Sequence, residues 1–262
     1  MTINDICKVG VVAAAATLLA PLLSACGAAQ TAETFINGGP CKAGPTVWLV
    51  PDVSGSTAAM RKPGGLYATA VKTAITKTAE SCGALYAGAV EGNGINTDWV
   101  IGGQQFRQTI GGNTQLSAAA RAHKAEQELF PKIPALLTTK DAQGSDFLGV
   151  MRRVSEAARS LPSEQRNRPT LILVFDGVLY LPGHYSLYKT PINTPDRRAK
   201  FIARLRRGGE LPKLTGFDVY LAGLGVGVSN RETAKAVISF WKALVPLTGA
   251  RLRSTDGSLR FP

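Results

Sequence analysis

Histidine is nearly missing from this chain. Two in 262 residues, His123 and His184, cannot build an imidazole-rich metal centre, and four scattered cysteines do not make up the shortfall. His184 stands alone in the loop "LPGHYSLY", where an isolated histidine reads as a surface residue rather than a catalytic base. His123 lies in an Ala-rich stretch and reads as a packed or exposed bystander. The chain also lacks a G-x-S-x-G nucleophile elbow, which leaves little support for an esterase. It has no G-x-x-x-x-G-K-[ST] phosphate loop. "GLGVGV" (223–228) lacks dinucleotide-binding spacing and follows a late strand, so it reads as a strand end with close backbone packing. Acidic residues are scarce as well: 18 Asp and Glu face 30 Lys and Arg, a net charge of +12. That balance favours acidic surfaces, anionic lipid or nucleic acid as neighbours and says nothing of fold.

Long apolar runs are also missing, with one partial exception at the N-terminus. "KVGVVAAAATLLAPLLSAC" is too short for a comfortable membrane span and fits the apolar region of a secretory signal. Its end, Leu23 to Cys26, resembles the bacterial lipoprotein lipobox. That resemblance implies a signal peptide over 1–25, cleavage before Cys26 and lipidation of the Cys26 sulfur. A plain signal peptide or an uncleaved anchor is the alternative. Residues 26–44 then form the lipidated end and a tether rich in Gly, Pro and Thr. An exported, lipid-anchored domain over 45–262 makes intracellular nucleic-acid roles a poor expectation, and the chain is expected to be monomeric.

From Thr46 onward strands and helices alternate. "TVWLV" is a short buried strand, and "LYATAVKTAITKTAES" places Tyr67, Val71, Ile75 and Ala79 at helical spacing. "ALYAGAV" is a second strand, with "TDWVI" returning beside it as a hairpin. "TQLSAAARAHKAEQELF" is helical up to Pro131. "DFLGVMRRVSEAARSL" places Phe147, Val150, Met151, Val154, Ala157, Ala158 and Leu161 on one face. "TLILVF" and "FDVYLAGL" are unbroken apolar runs of the kind found in sheets covered on both sides. "SNRETAKAVISFWKALV" opens with Ser229 and Glu232 at capping-box spacing and is expected to end at Pro246. The pattern predicts an α/β fold: a Rossmann-like three-layer sandwich with a mostly parallel central sheet and one antiparallel edge strand. Ligands in such folds bind where the strand C-termini meet.

Three loops are expected at that edge. "PDVSGST" (51–57) sets Asp52, Ser54 and Ser56 at alternate positions after the first strand. "QGSD" (143–146) brings Ser145 and Asp146, and "FDG" (175–177) brings Asp176. In this combination the chain resembles the von Willebrand factor type A-like domains, whose metal-ion-dependent adhesion site uses a DxSxS segment, a later hydroxyl and an Asp after a central strand. The resemblance covers roughly residues 45–255. It implies a Mg²⁺ site, with Mn²⁺ as a substitute. Ser54, Ser56 and Ser145 would be hydroxyl ligands there, with Ser145 at the family's Thr position, and Asp52 and Asp176 would supply charge, partly through bound water. Asp146 is a neighbouring candidate. The implied function is binding, the ion capturing an acidic group of a protein partner, and not catalysis. Without an ion, the same residues would merely cap helices and tighten turns, with Ser56 or Thr57 capping the helix near Gly65.

The fold also makes a prediction for the cysteines. Cys41 precedes the first strand and Cys82 ends the first helix, so both should meet at the edge away from the metal and form a bridge, two separate thiols being the alternative. Two features are left over. "RRAKFIARLRR" (197–207) reads as a solvated helix face with Ile202 and Leu205 turned inward, or as a patch for an anionic surface. The loop 177–196 carries Tyr180, Tyr185 and Tyr188, which could give a partner apolar contact. The alternatives to a binding module are a metal-dependent hydrolase using the same pocket and an envelope assembly protein acting through its basic face.

Overall fold

The computed structural model describes residues 44–90, 92, 98–107, 109–110, 114–138, 144–187, 190–228 and 230–261. Five strands of the main sheet run parallel: β1 (Thr46–Pro51), β2 (Ala84–Ala87), β6 (Thr170–Val174), β9 (Asp218–Ala222) and β10 (Arg251–Ser254). β3 (Ile101–Gln105) pairs antiparallel with β2 at one edge. The order β10-β9-β6-β1-β2-β3 puts β1 between β2 and β6, with Leu49 level with both Ala87 and Ile172. The chain turns outward in opposite directions from β1, so the switch in strand order falls between β1 and β6. The expected α/β sandwich with one antiparallel edge strand is the fold observed. Two backbone pairs lie outside the sheet: β4 (Thr109–Ile110) with β5 (Thr114–Gln115), and β7 (Tyr180–Leu181) with β8 (Tyr185–Ser186).

The continuous apolar runs sort into two cores by strand alternation. Val47, Leu49, Ile172, Val174, Tyr220 and Ala222 face one side, under α1 (Leu66–Glu80) and α2 (Ala118–Leu129). Trp48, Val50, Leu171, Leu173, Val219 and Leu221 face the other, under α4 (Phe147–Ser160), α5 (Pro195–Arg207) and α6 (Arg231–Leu247). A single turn, α3 (Ile133–Leu136), follows α2. Trp241 of α6 is fully buried against Phe175 and Phe240 and donates its indole N–H to the Gly177 carbonyl at 2.7 Å.

Several helix ends differ from expectation for identifiable reasons. The cap of α6 is Asn230, whose side chain accepts from the Glu232 and Thr233 amides; Ser229 lies outside the described residues. Pro246 sits inside α6, which runs on to Leu247. A proline in the last turn forfeits a single backbone bond, too little to end a helix whose preceding turn is locked into the core. β2 stops at Ala87 and β3 begins only at Ile101, with Trp99 packed edge-on against Tyr86 instead of extending the strand. Arg121, buried at the start of α2, donates to the carbonyls of Ala79 (2.9 Å) and Glu80 (2.7 Å), joining the two helices of that face.

Cys82 follows α1 at the edge where the parallel strands start, and it is disulfide-bonded. Its expected partner, Cys41, lies outside the described residues, as do the N-terminal apolar run and Cys26. Among the described residues no helix is long and apolar enough to cross a membrane.

Candidate metal centre

The first loop leaves β1 at Pro51. Asp52 stays in sheet register, its amide bonded to the Val174 carbonyl at 2.8 Å. Its carboxylate turns back to take the Ser54 amide, also at 2.8 Å. A 3₁₀ turn (Gly55–Arg61) begins at Ser54, and Thr57 fixes it by donating to the carbonyls of Asp52 and Ser54, each at 2.9 Å. Thr57 therefore closes this turn and does not cap α1, which starts after Gly65 without any side-chain cap.

The second loop is pinned from both sides. Ser145 bridges to Gly92 and to Tyr180, its amide donating to the Tyr180 carbonyl at 2.7 Å. That places the Ser145 hydroxyl 3.3 Å from one Asp52 carboxylate oxygen and 3.5 Å from the other. The third loop leaves β6 after Phe175. Asp176 accepts the Val178 amide at 2.8 Å on one oxygen and the Ser56 hydroxyl at 3.0 Å on the other. The Ser54 and Ser56 hydroxyls lie 3.2 Å apart. All five residues named from the sequence thus meet in one network at the strand C-termini, beside the switch between β1 and β6. Ser56 is exposed, and the other four are buried.

Asp146 does something else. It caps α4, accepting the Gly149 amide at 2.7 Å, and the same oxygen accepts the Tyr185 hydroxyl. Glycine at 149 is required for this, because a Cβ there would lie 2.1 Å from the second Asp146 oxygen. Tyr185 is correspondingly buried, which corrects its assignment as a surface contact for a partner; Tyr188 lies outside the described residues. No local sign in the sequence marks this pairing, which joins residues 39 apart through the β7–β8 hairpin. Among the described residues neither histidine hydrogen-bonds the network: His123 is exposed beside Gln127, and His184 lies 3.6 Å from Glu210.

The electrostatics are unfavourable without a cation. Burial pushes the Asp52 carboxyl up to about 7, and the charge of Asp176 adds to the rise. Burial raises Asp176 too, and among the described residues no basic side chain offsets either group. Arg61, on the turn that follows Asp52, gives its guanidinium to the Ser54 and Leu137 carbonyls and the Thr57 hydroxyl. Below the pair, the buried Tyr67 hydroxyl has no hydrogen-bond partner among the described residues and is raised by burial and by both carboxylates. Two buried carboxylates without a counter-ion are costly. Among the described residues no three His, Cys, Asp or Glu side chains gather as a metal set. The donors here are two carboxylates and three hydroxyls, an oxygen-only mixture of the kind a hard divalent ion takes.

No family model matches the chain, and no curated protein does. Solved structures overlap it partly. The pilus adhesin SpaC of Lactobacillus rhamnosus GG, in its open conformation, has 15% identity over 83% of this chain and 28% of its own, with a TM-score of 0.45. The human COPII-coat protein Sec24c has 13% identity over 84% of this chain and 30% of its own, at 0.36. An aerotolerance-related membrane protein of Bacteroides fragilis, carrying multiple mutations to serines, has 13% identity over 80% of this chain and 91% of its own, at 0.33. The chain thus spans less than a third of the first two. Likenesses this partial carry no argument about function.

Proposed function

We propose that this is a von Willebrand factor type A-like binding module, exported and held to a bacterial membrane by lipid on Cys26, that uses a divalent cation to capture an acidic group of a protein partner. The supporting observation is the meeting of Asp52, Ser54, Ser56, Ser145 and Asp176, brought from three loops to the end of the sheet. Mg²⁺, or Mn²⁺ in its place, suits this donor set. Ser54, Ser56 and Ser145 would offer hydroxyl oxygens, and Asp52 and Asp176 would balance the charge. When bound, the ion supplies a Lewis-acidic position for a carboxylate. The protein's own part is to hold the oxygens in place: Thr57 and Arg61 lock the first loop, the Gly92 and Tyr180 bridges lock the second, and Trp241 braces the backbone after Asp176.

No histidine is available to the network as a base, which favours binding over hydrolysis in this reading. The disulfide at Cys82 is assigned to Cys41, the only other cysteine outside the signal and lipidation segments. Envelope proteins retained by the immobilised domain in Mg²⁺ and released by EDTA, with no retention by Asp176→Ala, are the expected result. Turnover of ester or phosphate substrates that depends on Asp52 would replace this reading with a hydrolase.

A further inference from the structure

The two ends of the sheet differ in charge. Asp52 and Asp176 lie at the strand C-termini, while arginines crowd the opposite edge. Arg107 follows β3 beside the start of β2, Arg159 closes α4, Arg166 and Arg168 lead into β6, and Arg251 begins β10. All five are exposed. Among the described residues Arg107, Arg159, Arg166 and Arg168 have no carboxylate partner. Of the acids at this edge, Glu80 pairs with Lys77, Asp218 is shared by Arg251 and Arg253, and Glu164 takes the Ser163 hydroxyl at 3.3 Å.

The chain enters the domain at this same edge. The Gly44 amide bonds the Cys82 carbonyl at 3.2 Å, and the Gly44 carbonyl accepts from the Asn167 side chain at 3.3 Å. Asn167 stands between Arg166 and Arg168, so two exposed arginines flank the point where the N-terminal segment arrives. Residues 27–43 reach at most about 60 Å even fully extended. A membrane holding residue 26 therefore lies within that reach of this edge, whereas the field of a charged surface acts only within about 10 Å.

We propose that the arginine edge is a docking surface for anionic phospholipid headgroups, which holds the domain upright with the strand C-termini facing away from the bilayer. The orientation rests on the anchored reading above, whereas headgroup binding stands independently of it. The tether keeps the domain within reach of the membrane, and the basic edge, where the chain enters, is the one that an anionic surface attracts.

Both cores close within residues 44–261, so the chain from Gly27 onward is the form to test. It is spun with phosphatidylcholine vesicles, with and without one quarter phosphatidylglycerol. Each arginine near an anionic surface is worth about fivefold in partitioning. The triple variant Arg107→Gln, Arg166→Gln, Arg168→Gln should therefore lose about 100-fold of its binding to the anionic vesicles, while circular dichroism shows an unchanged fold. A control variant in α5, Arg197→Gln with Lys200→Gln, should keep most of it. Asp52→Ala should bind as the parent does, so a failed metal site does not touch this result. Equal binding to neutral and anionic vesicles would overturn the proposal. So would full binding by the folded triple variant, loss in the α5 variant alone, or retention on a soluble polyanion without vesicle binding.

Discussion

Removing divalent ions should invert the usual dependence of stability on acid. In an unfolded chain the Asp52 carboxyl titrates near 3.8, whereas in the folded protein burial moves it up to about 7. The folded state therefore keeps a proton that the unfolded state releases across that interval. The stabilisation this proton gives is complete below 3.8 and is lost as pH rises through about 7. At about 1.36 kcal/mol per pH unit, the whole interval amounts to about 4 kcal/mol, of which about 3 falls between pH 5 and pH 8. Asp176 is displaced in the same direction and adds to the effect. Ordinary acid denaturation runs the other way. A cation bound to the ionised pair should restore stability chiefly at the alkaline end, by about 2.7 kcal/mol at a hundred times its dissociation constant. The assay is urea unfolding in EDTA and in excess Mg²⁺ across this pH range, with Asp52→Asn as a neutral isostere. The parent in EDTA should be weaker at pH 8 than at pH 5, Mg²⁺ should remove most of that loss, and Asp52→Asn should show little of either response. A metal-free profile that is flat or rises with pH would refute the reasoning, as would the same slope in Asp52→Asn.

Three other substitutions separate the site from its scaffold. Gly177 has φ +92°, and a Cβ there would lie 2.4 Å from Val237 and 2.7 Å from Leu224. Gly177→Ala should cost about 2 to 4 kcal/mol in thermal unfolding and, through its neighbour Asp176, weaken the Mg²⁺ response. Arg121→Ala leaves two helix-end carbonyls without their buried donor. It should cost about 2 to 3 kcal/mol yet leave Mg²⁺ binding unchanged, because α2 starts at the opposite end of the sheet. Cys82→Ser opens a loop of about 40 residues if Cys41 is its partner. It should destabilise by about 4 kcal/mol, Cys41→Ser should match it, and thiol titration should then find one free cysteine in each variant.

Much of the fold was legible because burial on both faces imposes unbroken apolar runs. "TVWLV" and "TLILVF" could hardly be anything but central strands, and their alternate residues now divide between the two cores. The meeting of Asp52, Ser54, Ser56, Ser145 and Asp176 was legible because their segments follow a strand or precede a helix in a topology that gathers strand ends. Long-range side-chain pairing was hidden. Nothing near Tyr185 reveals that its hydroxyl reaches Asp146, because that contact needs the β7–β8 hairpin to fold over α4. Tyr67 read as an ordinary helix-face residue, and only the packed structure shows its orphaned hydroxyl beneath the carboxylates. Ile202 and Leu205 of the basic helix are buried, as their spacing predicted. The arginine edge was hidden in the sequence because its members are scattered from 107 to 251 and converge only where strands start. Asn230 displaced Ser229 as the α6 cap because either residue type can serve and the register is settled by packing of Val237, Phe240 and Trp241.

Titration of the metal-free chain with Mn²⁺, followed by electron paramagnetic resonance, bears most directly on the central claim. One ion per chain, displaced by excess Mg²⁺ and missing from both Asp52→Ala and Asp176→Ala, is the expected result. A parent protein that leaves all Mn²⁺ free, or variants that bind it as the parent does, would contradict the account.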